Sequence, residues 1–323
     1  MMLGPESLLV VVAALALDAL IGDPDWLWRR MPHPIVVIGW LINALDQRLN
    51  QETWSPARRK AAGIAAVVLL VITSIVTGYT IERVLLALPA GPLWVAVVAS
   101  IFIAQRSLYQ HVARVAAAFA TGGLAAARQA VAMIVGRDTT QLDDSGVCRA
   151  AIESCAENFS DGVVAPVFWL AALGLPGLIA YKAINTADSM IGHRSARHEA
   201  FGWAAARLDD VVNLVPARLA GLLVALTAPI AGGRIAASLR VMWRDAPLHR
   251  SPNAGWPESA MAGALDLALA GPRRYATHSV DDPFLNPEGR KDAGPSDISR
   301  ALRMLIAACM VQAVVYVVLM LAI

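Results

Sequence analysis

The chain has 323 residues, of which 57% are hydrophobic and 16% are charged, and its mean hydropathy is +0.55. Soluble globular domains carry about 25% charged residues, so this composition excludes an ordinary soluble domain and predicts an integral membrane protein. The net charge is only +2, and no basic aromatic strip suggests a nucleic-acid partner. Three scattered cysteines exclude a disulfide framework and a CxxC-type zinc site.

Four apolar runs of about membrane-spanning length lie, in chain order, at 3–21, 61–81, 92–104 and 302–323. We expect the first of these runs to be a membrane helix rather than a cleaved signal segment, because no basic residue precedes it. The third run is short, and we expect amphipathic sequence as far as Phe119 to prolong its helix.

Two further apolar runs, at 163–184 and 211–231, are interrupted. The first contains Gly174-Leu175-Pro176-Gly177, and the second contains Asn213 and Pro216. Glycine and proline at membrane depth are typical of broken or re-entrant helices. We therefore predict an all-α integral membrane protein with about four full transmembrane helices, one or two broken or re-entrant membrane helices, and cytoplasmic amphipathic helices.

The distribution of positive charge predicts the topology. Of the 27 Lys and Arg residues, 6 lie in 22–60, 1 in 82–91 and 20 in 105–303. The positive-inside rule then predicts an inner-membrane protein whose basic segments face the cytoplasm. We predict a single polytopic membrane domain, 1–323, in which 105–301 is a mostly cytoplasm-facing catalytic region. A six-span alternative stays open, although it would place several basic residues outside.

Acidic and amide side chains gather where helix 143–158, predicted from its Asp143-Asp144 start, meets the run at 163–184. Arg149 and Glu153 share one helix face, and a solvated face with an Arg–Glu pair explains them. Three more residues lie at the expected membrane boundary, where charge is costly and usually functional: Glu157, Asn158 and Asp161. They are candidates for catalysis and substrate binding.

A second polar stripe follows the interrupted run. Asn185, Asp188 and Ser189 recur at helical spacing, and Arg194 comes soon after. If the run at 163–184 returns to its starting side, this stripe faces Asp161. Mg²⁺ prefers such oxygen ligands and usually arrives with substrate phosphates. Hydrogen bonding between helices is the alternative explanation.

A third acidic segment precedes the run at 211–231. Asp209 and Asp210 are candidate metal ligands, and Arg207 and Arg218 are candidates for holding phosphate or carboxylate groups. A helix cap with flanking charges is the alternative for this segment.

Three isolated residues complete the candidates. His33 lies between two prolines that restrict the backbone, so it is a candidate proton acceptor, although a lone histidine is more often structural. Arg137 and Asn253 lie in polar turns and are candidates for substrate or phosphate binding. The chain contains neither a Walker A motif nor a GxGxxG motif.

Taken together, the motifs resemble those of the CobD/CbiB family of cobalamin biosynthesis proteins. The similarity extends over about residues 18–275, and the motifs occur in this order: DALIGDP, HPIVVIGWLI, VGRDTTQLD, ESCAENFSDGVVAPVFW, YKAINTADSMIGHR, FGWAAARLDDVVNLVPAR and SPNAGWPESAMAGAL. A segment at 270–275, Ala-Gly-Pro-Arg-Arg-Tyr, departs modestly from the family pattern.

The resemblance implies an activity. The family joins aminopropanol, free or as its O-phosphate, to a propionate carboxylate of adenosylcobyric acid, giving adenosylcobinamide or its phosphate, with ATP consumed. An amide ligase of this kind implies ATP and Mg²⁺ as cofactors, the lipid bilayer as environment, and other cobalamin-pathway enzymes or a second copy as partners. With that chemistry, we expect Glu157, Asp161, Asp188 and His33 to be catalytic and the acidic residues to hold the metal.

Two other function classes stay open. A Mg²⁺-dependent prenyl or alcohol-phosphate transferase would also use acidic motifs at a membrane face, but Asn158-Phe159-Ser160-Asp161-Gly162 is only a partial echo of theirs. A transporter with broken helices would bind its substrate near the bilayer midplane, but no internal repeat is visible. ATP hydrolysis stimulated by corrinoid acid and amine would separate the ligase from the transporter.

Overall fold

The structure is a computed structural model that describes residues 4–193, 195–274 and 279–323. Its α-helices are α1 Pro5–Leu20, α2 Asp25–Trp28, α3 Pro34–Leu49, α4 Pro56–Leu86, α5 Gly91–Ser100, α6 Gln105–Ala132, α7 Asp144–Phe159, α8 Ala165–Ala187, α9 Trp203–Val212, α10 Leu214–Leu226, α11 Ile235–Asp245, α12 Gly255–Leu265 and α13 Pro295–Ala322. Single π-helical turns follow α7 and α8, at Ser160–Val164 and Asp188–Gly192, and short 3₁₀ turns lie at Ala228–Ala231 and Ala246–Leu248. The strands have two residues each and form two antiparallel pairs: β1 Leu269–Ala270 with β4 Phe284–Leu285, and β2 Arg273–Arg274 with β3 Ser279–Val280.

The predicted all-α membrane architecture is confirmed. Within the described residues, four helical segments are long and apolar enough to cross a membrane: Pro56–Leu86, Gly91–Ala132, Asp144–Gly192 and Pro295–Ala322. This set differs in detail from the predicted runs. The run at 3–21 forms α1, which has 16 residues and falls short of a span, whereas the interrupted run at 163–184 lies inside the long segment that begins at Asp144.

The third run is prolonged past Phe119 within the segment Gly91–Ala132, as expected, although residues 101–104 interrupt the helix between α5 and α6. Proline or a good capping residue sets the start of several other helices. Asp143 caps α7 by accepting a hydrogen bond from the backbone N–H of Gly146 at 2.6 Å, which confirms the helix start predicted there.

The chain folds into two compact units. The first unit comprises 1–104, 165–213 and 316–323, and the second comprises 105–164 and 214–315. In the first unit, α4 runs alongside α8 and also contacts α3, α5 and α9. Its core joins apolar residues of α3, α4 and α8 to Phe201 and Ala205, all of them nearly inaccessible to solvent.

Helix α8 breaks at Gly174, as the Gly-Leu-Pro-Gly sequence predicts. Gly174 has φ +69° and ψ −159°, a conformation open to glycine but strained for other residues. A Cβ on Gly177 would lie 2.7 Å from the carbonyl oxygen of Trp169, eight residues earlier. In a straight helix eight residues span about 12 Å, so the chain turns back sharply here. We call residues 165–173 the first limb of α8 and residues 175–187 the second limb.

In the second unit, α12 is the central helix. All eleven of its residues are buried, and it contacts α7, α10 and α11. Helix α10 also packs against the π-helical turn at Ser160–Val164. The paired strands β1 and β4 lie after α12, where β1 contacts both α7 and α12. The predicted division into one domain with a cytoplasm-facing region stays a prediction.

Candidate functional site

The first unit brings together three of the predicted oxygen ligands. Asn185 lies at the end of the second limb of α8, Asp188 begins the π-helical turn that follows, and Asp209 lies on α9. The amide nitrogen of Asn185 donates a hydrogen bond to Asp209 Oδ1 at 3.3 Å. We call Asn185, Asp188 and Asp209 the oxygen cluster.

The π-helical turn shapes the Asp188 side of the cluster. Asp188 Oδ1 lies against the backbone of Gly192, at the position that a Cβ would occupy. Any larger residue at 192 would have to displace this carboxylate. The glycine in the sequence Asp188-Ser189-Met190-Ile191-Gly192 therefore sets where the Asp188 carboxylate can rest.

Two buried side chains next to the cluster, Tyr181 and Asn213, are joined by a hydrogen bond. The hydroxyl of Tyr181, which is 1% exposed, donates to Asn213 Oδ1 at 3.0 Å, and Asn213 is also 1% exposed. This bond orients the Asn213 amide, so that its nitrogen is the group available to Asp209, whose pKa it lowers. The sequence alone indicates Asn213 only as an interruption of an apolar run and does not single out Tyr181.

The electrostatics of the cluster favour a cation. Burial, and next the charge of Asp188, raise the pKa of Asp209 from 3.8 to about 7, although the nearby amides of Asn185 and Asn213 oppose the shift. Asp188 and Asp209 repel each other in partly buried surroundings, so a positive charge bound between them would stabilise both carboxylates. This is a chemical reason to expect a metal ion or a protonated amine at this place.

The other predicted residues of this segment lie outside the cluster. Arg207 is exposed and pairs with Asp210, with Nη1 to Oδ2 at 3.1 Å. Burial raises the pKa of Asp210, and Arg207 opposes that shift. Ser189 is exposed and its hydroxyl donates to the carbonyl of Asn185 at 3.0 Å. Arg194 lies outside the described residues, so its predicted role stays a prediction.

His33 caps the start of α3. Its Nδ1 accepts a hydrogen bond from the backbone N–H of Ile35 at 3.2 Å, and its Nε2 lies 3.4 Å from Asp23 Oδ1. Its ring also meets the edge of Trp28, with centroids 4.5 Å apart. Both ring nitrogens therefore have partners, an arrangement typical of a structural histidine, and the predicted proton transfer stays a prediction.

The second unit holds the remaining candidates. Glu157 and Asn158 are exposed at the end of α7, and Asp161 is half-buried in the π-helical turn that follows. The Asn158 amide donates to the carbonyl of Ser154 at 2.9 Å and so points back along its own helix. Asp161 and the oxygen cluster belong to different units, so the predicted meeting of Asp161 with Asp188 stays a prediction.

Arg137 is engaged by Glu153. Arg137 Nη2 lies 2.8 Å from Glu153 Oε2, and both side chains are at least 90% buried. Glu153 Oε1 also accepts a hydrogen bond from the backbone N–H of Ala270 at 2.8 Å, so it joins the turn before α7 to strand β1. The interpretation of Glu153 as part of a solvated face is therefore wrong. Its oppositely charged partner is Arg137, which lies in a loop, and helix periodicity does not reveal a partner outside the helix.

Arg218 and Asn253 both belong to the second unit: Arg218 lies on α10, and Asn253 lies just before α12, which α10 contacts. The Arg218 guanidinium stacks on the Trp256 ring at 4.4 Å, and its Nη1 donates to the carbonyl of Leu214 at 2.6 Å. Asn253 is buried in the turn before α12. In the same turn, His249 Nε2 lies 3.6 Å from Glu258 Oε1, and Glu258 is 2% exposed. The sequence prediction missed this pair, although Glu258 in SPNAGWPE is an acid in an otherwise apolar helix.

The sequence also does not indicate an ion pair of the first unit, between Arg197 and the buried Asp46. Arg197 donates two hydrogen bonds to Asp46 Oδ2, at 3.1 and 2.7 Å, and Asn50 donates to Asp46 Oδ1 at 2.7 Å. Burial alone would raise the pKa of Asp46, but the bonds from Asn50 and Arg197 outweigh it and hold the pKa below 3.8. This network fixes the loop before α9 to the end of α3.

The oxygen cluster has the donor types that Mg²⁺ accepts when it is shared with phosphates. Within the described residues, no group of three or more His, Cys, Asp and Glu side chains is arranged to hold a metal ion. Mg²⁺ keeps several waters and commonly binds through one or two carboxylates plus phosphates, so it does not need such a group. Asp188 and Asp209 would supply the carboxylates, and Asn185 an amide oxygen or a hydrogen bond to bound water.

Comparison with known proteins identifies the family. The model of the family described as CobD/Cbib protein matches residues 11–305. The chain is 53% identical over 312 residues to "Cobalamin biosynthesis protein CobD" of Sinorhizobium sp, covering 95% of this chain and 97% of that protein. It is 51% identical over 309 residues to the protein of the same name from Rhizobium meliloti (95% and 94% covered), and 49% identical over 295 residues to that of Rhodobacter capsulatus (91% of each). No solved structure is significantly similar. With half of its residues identical to these relatives over nearly its full length, the chain is a member of the CobD/Cbib protein family.

Proposed function

We propose that this protein is an enzyme of cobalamin biosynthesis that forms an amide bond. It joins (R)-1-amino-2-propanol, or its O-phosphate, to a propionate carboxylate of adenosylcobyric acid. The observation that carries the proposal is the identity of about half the residues, over nearly the whole chain, with proteins named for cobalamin biosynthesis. The product is adenosylcobinamide or its phosphate.

The chemistry requires an activated carboxylate. A carboxylate and an amine do not condense at neutral pH, so ATP first transfers its γ-phosphoryl group to the carboxylate oxygen and leaves as ADP. The amine nitrogen then attacks the acyl carbon, inorganic phosphate departs, and the nitrogen loses one proton. Mg²⁺ supplies charge neutralisation on the phosphate oxygens during the transfer.

The residues of the oxygen cluster suit this task. Asp188 and Asp209 would hold the metal, while Asn185 orients Asp209 through its hydrogen bond. The pKa of Asp209 is raised to about 7 by burial and by Asp188, and a cation bound beside it would favour the ionised carboxylate that ligates the metal.

The phosphate groups need cationic partners. Arg207 is exposed beside Asp210, and Arg218 presents its guanidinium on the ring of Trp256, where it keeps its charge for a ligand. Arg137 already neutralises the buried Glu153, so binding a phosphate would require it to leave this partner. Arg207 belongs to the same unit as the oxygen cluster, so we assign phosphate binding at the cluster to Arg207 in preference to Arg137, and the role of Arg218 stays a prediction.

We place the enzyme in the inner membrane with its basic segments towards the cytoplasm. At the start of α4, the guanidinium of Arg58 stacks on Trp54 at 3.8 Å, and the ammonium of Lys60 stacks on Trp203 at 3.6 Å. Paired aromatic and basic residues at the end of an apolar helix are typical of the cytoplasmic membrane interface. Helix α10 adds exposed apolar residues at helical spacing, in keeping with partial insertion: Val215, Leu219, Leu222 and Leu226.

One assay tests the proposal. Detergent-purified protein is incubated with adenosylcobyric acid, ATP and Mg²⁺, together with aminopropanol or its O-phosphate, and the product is detected by mass spectrometry. We expect an amide product with at least one amine and stoichiometric release of ADP and phosphate. Absence of product with both amines would refute the proposed reaction. Product formed without ATP would refute the activation step.

A further inference from the structure

Helix α4 carries one acidic side chain within its apolar length, Glu82, which is 4% exposed. A carboxylate at such a position is costly unless it has a defined partner. Glu82 Oε2 accepts a hydrogen bond from the backbone N–H of Leu175 at 2.8 Å. Leu175 is the first residue of the second limb of α8, where backbone N–H groups lack helical partners. The carboxylate thus satisfies a donor that the break in α8 creates.

The surroundings of Glu82 are shaped to receive this break. Gly78 lies one turn before Glu82 on α4, and a Cβ at that position would be 2.7 Å from the Cα of Pro176 and 2.8 Å from the carbonyl oxygen of Leu175. On the other side, a Cβ on Gly174 would collide with Glu82 Oε2. Both glycines are therefore needed for α4 to lie against the tip of α8. Pro176 has no N–H, so it adds no unsatisfied donor at the helix start.

The second limb of α8 leads from this contact to the oxygen cluster. It carries Tyr181, which orients Asn213, and then Asn185, which binds Asp209. A helix is stiff over a length of thirteen residues, so a shift or rotation at its first residue moves the side chains at its end. The contact at Leu175 therefore controls the placement of Asn185 and Asp188.

We propose that Glu82 is a positioning residue for the oxygen cluster. By holding the N–H of Leu175, it fixes the start and the rotation of the second limb of α8, and through that limb it places Asn185 and Asp188 against Asp209. The proposal deepens the proposed function and rests on it for the identity of the cluster as a metal site.

The first test uses Mn²⁺ in place of Mg²⁺ and measures its affinity by electron paramagnetic resonance. E82A removes the acceptor, whereas E82Q retains an amide oxygen that can accept the same hydrogen bond. V95A is the matched control, since Val95 is buried in α5 of the same unit and the substitution opens a cavity while leaving both partners of the Glu82–Leu175 hydrogen bond in place. We expect the Mn²⁺ dissociation constant to rise about tenfold in E82A, the equivalent of one lost hydrogen bond to a charged group, and to change less than twofold in E82Q and V95A.

The second test does not depend on any metal. Spin labels at the exposed positions Val84 on α4 and Met190 beyond α8 report the distance between the two helices. In E82A we expect a shifted or broadened distance distribution, and in E82Q the wild-type distribution. If wild-type protein binds no Mn²⁺, the metal site of the proposed function fails, and this distance measurement still decides the role of Glu82.

The proposal is overturned by an unchanged distance distribution in E82A, or by an E82Q variant as impaired as E82A. It is also overturned if V95A, at an equal loss of thermal stability, weakens Mn²⁺ binding as much as E82A does, because a general loss of stability would then explain the effect. Where E82A does not fold, E82D takes its place: it keeps the charge but is one methylene too short to reach Leu175.

Discussion

The buried pair of Arg137 and Glu153 allows a stability prediction with a worked magnitude. Replacing Arg137 by methionine leaves the Glu153 carboxylate buried with its arginine gone, which should lower the free energy of unfolding by about 3–5 kcal/mol. Replacing Glu153 by leucine strands the guanidinium and also removes the acceptor of the Ala270 N–H. In the double variant R137M/E153L neither charge of the pair is stranded, and the Ala270 N–H loses its acceptor at a cost of about 1–3 kcal/mol.

Two buried thiols provide the assay. Cys148 and Cys155 lie on α7, the helix that carries Glu153, and both are buried. In a C309S background, which removes the partly exposed third thiol, a dye that becomes fluorescent on reaction with thiols therefore reports the unfolding of this helix during a thermal ramp. At about 2 °C per kcal/mol, we expect each single variant to lower the apparent midpoint by about 6–10 °C and the double variant by less than either. E288Q, at a glutamate whose side chain is 82% exposed, is the control and should change it little.

The order of the variants is the decisive result. If the two single variants lower the midpoint by less than 1 °C, the pair contributes little to stability. If the double variant loses as much as the sum of both singles, the two side chains act independently and the reasoning from a stranded charge is refuted.

Four further predictions follow from other contacts. D46N should lower the free energy of unfolding by about 1–2 kcal/mol at pH 7. The pKa of Asp46 in the folded protein is below 3.8, so this contribution is present above pH 3.8 and is lost as the pH falls through the folded-state pKa. Urea titrations of wild type and D46N should therefore converge in acid. D188N and D209N should each weaken Mn²⁺ binding by about tenfold or more and lower the rate of amide formation, whereas an unchanged affinity would remove that residue from the metal site. G174A should destabilise the first unit by about 1–3 kcal/mol, since alanine resists φ +69° and its Cβ meets Glu82; a wild-type thermal midpoint would contradict the sharp break described for α8. H33N should keep the helix cap, because asparagine also caps helices, but lose the contacts with Asp23 and Trp28; a fall in turnover of a hundredfold or more at an unchanged thermal midpoint would then support proton transfer by His33.

The sequence by itself determined the features that depend on local chemistry. Apolar runs gave the membrane character, Asp143 marked the start of α7, and Gly174 with Pro176 marked the break in α8. Each of these depends on the residues within a few positions, through helix periodicity, capping and allowed backbone angles. The ordered motifs were likewise sufficient to identify the family.

The tertiary structure alone decided which of the candidate side chains meet. Asp209 reaches Asn185 and lies near Asp188 because α9 packs beside the second limb of α8, and Glu153 meets Arg137 and Ala270 because a loop and a strand close over α7. Such partners lie 16 to 117 positions apart in the chain. Helix spacing predicts which residues share a face, but the partner of a buried charge depends on where the chain turns back, and that is decided by burial of the whole fold.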